Sequence, residues 1–193
     1  LSVKGSGENG LDDTQVYENV TMKNCVMTEV GAGDDASFHI YGLAKNFVFE
    51  NNEFTFATYR GIRFENVIEN LQVINNKLYS NGTIYDTVRA MDVAKGEVVI
   101  KGNEFVKSAQ TMVYVQKLDG TATFTIESNS FTDCKCAIID IREYTGNVEE
   151  ANIKFIIRFN QFLDSTVEWG CIRLRAGGLD ATKVSAEINF NKF

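Results

Sequence analysis

The stretch "FVFENNEF", residues 47–54, decides how this chain is read. An apolar/polar alternation runs into a pair of asparagines and resumes at once on an aromatic. The phrase returns as "LQVINNKL" at 71–78, "VVIKGNEF" at 98–105, "FTIESNSF" at 124–131, "FIIRFNQF" at 155–162 and "AEINFNKF" at 186–193. Self-similarity at a period of a few tens of residues is the mark of a repeat architecture. With the second Asn of each phrase as anchor, Asn52, Asn76, Asn103, Asn129, Asn160 and Asn191 form one series, and Cys25 stands in the equivalent place ahead of it. The spacings are 27, 24, 27, 26, 31 and 31 residues.

Three positions around the anchor stay apolar in every copy. Five before it stand Val20, Phe47, Leu71, Val98, Phe124, Phe155 and Ala186. Three before it stand Met22, Phe49, Val73, Ile100, Ile126, Ile157 and Ile188. Two after it stand Met27, Phe54, Leu78, Phe105, Phe131, Phe162 and Phe193. Alternation with period two is a strand with one buried face. The step from three before the anchor to two after it is odd, so a straight strand would send those side chains to opposite faces. Both reach one core only if the chain turns a corner at the Asn, a residue that tolerates the left-handed region. Stacked at about 4.8 Å, successive Asn amides are also within reach of one another.

A further strand completes each unit. Aligning "FHIYG", "IRFEN", "MDVAK", "VYVQK", "IDIRE" and "IRLRA" gives two inward columns. One is Phe38, Ile62, Met91, Val113, Ile139 and Ile172; the other is Ile40, Phe64, Val93, Val115, Ile141 and Leu174. Hairpin signals are absent, so each coil is expected to pair in parallel with its neighbours. Leucine-rich repeats, the main rival solenoid, lack support, because "LxxLxLxxN" never appears and no helical stretch follows the strands. The expectation is an all-β, single-stranded parallel solenoid of about seven coils. Each coil has three short strands and an Asn-containing corner. It forms a single domain over residues 1–193, with the repeat region about 16–193.

Bulk properties set the outer limits. The 193 residues suffice for one domain with a sizeable core. A formal charge of −7 with no basic run argues against nucleic acid as a partner. No apolar run approaches the ~18 residues that insertion into a membrane needs. No signal peptide is visible, and the chain opens on "LSVKGSGENG" and closes on a repeat unit. It therefore reads as a fragment of a longer chain, with flanking domains or an assembly partner capping the helix ends. Cys25, Cys134, Cys136 and Cys171 read as free thiols, since "CKC" is no metal motif and His39 is the single histidine.

The "N-N-x-F" corners and the coil length in the mid-twenties resemble the right-handed parallel β-helix of the pectate-lyase-like superfamily, over nearly the whole chain. That resemblance implies an extracellular or cell-surface setting. It also implies that polysaccharide lies along the wall preceding the strand that enters the Asn corner. One outward column of that wall reads His39, Arg63, Asp92, Tyr114, Asp140 and Arg173. The next reads Tyr41, Glu65, Ala94, Gln116, Arg142 and Arg175. Aromatics offer faces to sugars, and Arg offers charge-assisted bonds to hydroxyl or uronate groups, so the glycan would be anionic.

Substrate-binding candidates are His39, Tyr41, Tyr114, Arg142, Arg175 and Trp169. Catalytic candidates are Asp92, Asp140, Arg63 and Arg173. Asp92 and Asp140, two rungs apart at roughly 9–10 Å, lie at the upper end of an inverting glycosidase's carboxyl spacing. Asp34 and Asp35 form an adjacent pair in a loop, and Arg89 and Lys117 are lyase bases by position alone. Glu65 and Asp92 would hold calcium if the chain is a lyase. Three classes follow: a β-helix module that binds polysaccharide or forms part of an adhesin or stalk, a polysaccharide lyase or glycoside hydrolase, and a structural spacer that pairs Arg with Asp across rungs. Asn19-Val-Thr and Asn81-Gly-Thr match the glycosylation acceptor pattern.

Overall fold

The computed structural model describes residues 2–3, 15–30, 36–57, 60–80, 86–90, 93–135 and 137–193. Every strand pairing among them is parallel, between neighbouring coils. The strands form three walls. The first comprises β1 (Ser2–Val3), the leading halves of β5 (Ala36–Glu50), β7 (Arg60–Ile74) and β12 (Thr111–Glu127), and also β9 (Asp86–Ala90), β14 (Ile139–Tyr144) and β17 (Ile172–Gly177). The second comprises β2 (Val16–Glu18), β3 (Thr21–Lys23), the trailing halves of the three long strands, β10 (Val93–Lys101), β15 (Asn152–Arg158) and β18 (Val184–Asn189). The third is a separate six-stranded sheet of β4 (Val26–Val30), β6 (Glu53–Phe56), β8 (Lys77–Ser80), β11 (Glu104–Ser108), β13 (Ser130–Cys134) and β16 (Gln161–Leu163).

The anchors line up in single file, as the repeat requires. Asn129 is typical. Its Nδ2 donates to Ile100 O at 2.8 Å and to Asn160 Oδ1 at 3.0 Å, and its Oδ1 accepts from the main-chain N and the Nδ2 of Asn103, both at 2.9 Å. The same pattern links Asn52, Asn76, Asn103, Asn160 and Asn191. From Asn52 to Asn160 these amides are buried, and a group left there without any partner costs about 1–3 kcal/mol. The two asparagines of the pair have separate duties. The positive φ belongs to the residue before the anchor, which is Asn51, Asn75, Gly102, Ser128, Phe159 or Phe190. The anchor carries the amide file.

Inside the walls, phenylalanines stack on the same period. Phe105 and Phe131 lie 4.9 Å apart, Phe131 and Phe162 5.2 Å, and Phe162 and Phe193 5.1 Å. A second Asn corner, which the repeat phrase does not reveal, falls within the second wall, between β2 and β3 and at the matching points of β5 and β7. Asn19, Asn46 and Asn70 all have positive φ there, and Asn70 Nδ2 donates to Asn46 Oδ1 as Asn46 Nδ2 does to Asn19 Oδ1. Fully developed solenoid extends for about four turns, fewer than the about seven that the anchors suggest. The end coils keep the anchor spacing but contribute little wall. Strands β2 and β3 have 3 residues each, and beyond β16 the third wall continues only as a bridge from Gln161 to Lys192.

One alignment is corrected by the register. On the first wall Ile62, Arg63 and Phe64 pair with Val88, Arg89 and Ala90, which in turn pair with Val113, Tyr114 and Val115. "TVRA" therefore takes the place assigned to "MDVAK". Val93 and Ala94 pair instead with Val67 and Ile68, further along the coil, and Ala94 is buried in the inward file with Ala44 and Leu118. Both segments offer an apolar alternation. Hydrogen bonding to the coils on either side selects the earlier one. Cys25, Cys134 and Cys171 are free thiols, while Cys136 lies outside the described residues.

Candidate functional site

The outward face of the first wall carries two ion clusters, one near each end. In the first, Glu65 on β7 is the hub. Arg63 Nη2 stands 2.8 Å from Glu65 Oε2, His39 Nε2 stands 2.7 Å from the same oxygen, and the Tyr41 hydroxyl donates to Oε1 at 3.0 Å. The parallel register sets this up. His39 pairs with Arg63 and Tyr41 with Glu65, so two neighbouring rungs bring the four side chains onto one patch. The His39 ring also packs on Tyr41, centroid to centroid at 4.8 Å, and His39 itself is buried. Arg60 lies against buried Asp86 beside this cluster, at 3.9 Å.

In the second cluster Asp140 on β14 is the hub. Its side chain is 0% exposed and faces three guanidinium groups. Arg142 Nε donates to Oδ2 at 3.0 Å, Arg173 Nε lies 3.2 Å from Oδ1, and Arg175 Nη2 lies 4.0 Å from Oδ1. Two aromatics support the cations. Arg142 lies over the Tyr114 ring at 4.7 Å and Arg173 over the Trp169 ring at 4.8 Å. Such contacts contribute about 0.5–2 kcal/mol each. Trp169 remains 47% exposed, while Tyr114 is only 7% exposed beneath its arginine.

The named residues thus fall into two groups. His39, Tyr41, Arg63 and Glu65 meet, as do Tyr114, Asp140, Arg142, Trp169, Arg173 and Arg175. Asp92, Asp34, Asp35 and Asn81 lie outside the described residues. The rung assigned to Asp92, between Arg63 and Tyr114, belongs to Arg89. By backbone register that file runs His39, Arg63, Arg89, Tyr114, Asp140 and Arg173, so it offers no pair of carboxylates at two-rung spacing. Arg60 and Asp86 escaped the sequence reading. The signal for them was opposite charge opening two adjacent first-wall strands, visible only once "DTVRA" is set against "RGIRF". Burial holds the Cys171 thiol above its ordinary pKa, which leaves it a poor nucleophile at neutral pH.

The model for the right handed beta helix region matches residues 2–155. The chain belongs to the right-handed β-helix family. Neither the curated proteins nor the solved structures include a match to the chain. The β-helix register continues past the matched segment, since β15 pairs with β18 from Ile153/Val184 to Arg158/Asn189 and Asn160 donates to Asn191. Calcium, which the lyases of this fold can carry, does not fit at Glu65. Both of its oxygens are already engaged, one of them by a guanidinium 2.8 Å away. Among the described residues no three His, Cys, Asp or Glu side chains converge as ligands, and no helix is long and apolar enough to cross a membrane.

Proposed function

We propose that this β-helix is a carbohydrate-recognition module that lays an anionic polysaccharide along its first wall, in an extracellular or surface-attached setting. One observation carries the reading: six of the chain's seven arginines, namely Arg60, Arg63, Arg89, Arg142, Arg173 and Arg175, belong to strands of that wall. The chain as a whole is acidic, so this concentration of guanidinium opposes its overall charge. Guanidinium suits carboxylate and sulfate because its planar donors match their paired oxygens. A file of such groups spaced by the rungs suits a linear polymer better than a compact solute.

The lyase or hydrolase alternative has weaker support, because Asp140 is covered and salt-bridged and the Asp92 rung is held by Arg89. Isothermal titration with oligogalacturonate, alginate oligomers and neutral cello-oligomers tests both readings when product formation is followed in the same samples. Binding of the acidic oligomers that weakens with salt, with no turnover, is the expected result. Equal binding of the neutral oligomers, or none of any, refutes the module. Release of shortened or unsaturated products establishes the enzyme.

A further inference from the structure

We propose that the anion-reading element of the wall is the triad of arginines gathered on Asp140, and that it takes one carboxylate or sulfate group of the ligand. This rests on the polysaccharide reading of the wall and assigns its contact point. The two clusters differ in charge balance. Among the described residues, one guanidinium meets one carboxylate around Glu65, with a phenol and an imidazole on the same carboxylate. Around Asp140 three guanidiniums meet one carboxylate. Among the described residues the first cluster balances one guanidinium with one carboxylate. The second keeps two positive charges in excess.

Geometry agrees with the count. Arg142 and Arg173 both approach Asp140 through Nε, so their terminal Nη groups have no partner among the described residues. Asp140 is fully buried, yet its Oδ1 accepts no hydrogen bond of proper geometry, and neither does Arg173 Nε donate one. The carboxylate therefore gathers the cations by charge, and the directed donors are left for another oxygen pair. The register holds this arrangement on rigid strands: Tyr114 pairs with Asp140 and Asp140 with Arg173 on successive rungs. Tyr114 and Trp169 back two of the guanidinium planes, which limits their rotation before any ligand arrives. Trp169 is also half exposed beside the cluster, so a sugar ring bearing the anion would meet an aromatic surface there.

The test compares Arg142→Gln/Arg173→Gln with Arg158→Gln, which removes the one arginine off this wall. Oligogalacturonate, a sulfated oligosaccharide and free sulfate are the probes. Affinity is read by titration, and the site by the Arg Nε–Hε and Trp169 indole signals in nitrogen-resolved NMR. Thermal melting and the Arg142→Lys/Arg173→Lys pair guard against misfolding. The double Gln variant is expected to lose at least tenfold in affinity for the acidic oligomers, the Lys pair less, and Arg158→Gln no more than twofold. If oligomers bind the double Gln variant as tightly as the parent, the contact point lies elsewhere and this inference falls while the polysaccharide reading stands. If the oligomers do not bind but free sulfate shifts the Arg142 and Arg173 signals, the anion site stands and the polysaccharide reading falls. If no probe shifts those signals, both fall. Which oligomer binds more tightly decides between carboxylate and sulfate.

Discussion

Asn129→Ala removes four side-chain hydrogen bonds from a position only 1% exposed. The truncation orphans the Asn103 main-chain N–H inside the stack, while the Ile100 carbonyl keeps its place in the β10–β12 ladder. Asn103 Nδ2 keeps its bond to Val73 O, and Asn160 Oδ1 keeps the one from the Asn129 main-chain N–H. One fully orphaned N–H at about 1–3 kcal/mol, with about 2 kcal/mol for the three other lost bonds, whose partners each keep a second contact, gives a destabilisation of about 3–5 kcal/mol. With a urea m-value of about 3 kcal/mol per molar, the midpoint of unfolding falls by about 1–1.7 M. The matched control is Asn51→Ala. That residue is exposed, with φ 53°, and its replacement costs only the left-handed backbone preference, about 1 kcal/mol. Urea unfolding followed by far-UV circular dichroism reads both. If Asn129→Ala shifts the midpoint no more than Asn51→Ala does, the buried amide file is not what fixes the coils in register.

Gly61→Ala would place a Cβ 2.5 Å from the Thr87 carbonyl oxygen and 2.8 Å from the Phe56 ring, on a wall packed on both sides. The expected loss is about 1–3 kcal/mol, seen as a lower melting temperature, and an unchanged melt would refute the close approach. Hydrogen bonds from Lys101 and Arg158 hold the Glu127 carboxyl below its ordinary pKa. A depressed folded-state value contributes stability above the unfolded value, and this is lost as pH falls through the folded value. Stability should therefore decline on acidification below about pH 4, and Glu127→Gln should flatten that part of the pH profile in equilibrium unfolding.

The fold was legible because the corner demands chemical identity, not mere polarity. Only an amide donates and accepts along the stack, so Asn recurs at the anchor while its neighbours vary, and the flanking apolar columns fall into place around it. Where no such group pins the chain, the reading slipped. "TVRA" and "MDVAK" have the same alternation three residues apart, and only pairing with Arg63 and Tyr114 on either side distinguishes them. The second corner stayed hidden because its Asn file runs through Asn19, Asn46 and Asn70 and then gives way to Gly96 and Gly120. Columns showed which side chains face outward but not how far they are covered. Tyr114 lies under Arg142, and Asp140 is enclosed by cations, because long guanidinium side chains fold down onto their neighbours.

The amide file also has a direction. Each post donates its Nδ2 and main-chain N–H to the post nearer the C-terminus, and none donates the other way. A turn inserted upside-down would set donor against donor. A turn inserted the right way up needs to bring only one Asn, whatever its length, since intervals of 24 and 31 residues serve the same file. Lengthening or shortening by whole turns is thus compatible with everything that holds the stack together, whereas a shift of a single residue at a post is not.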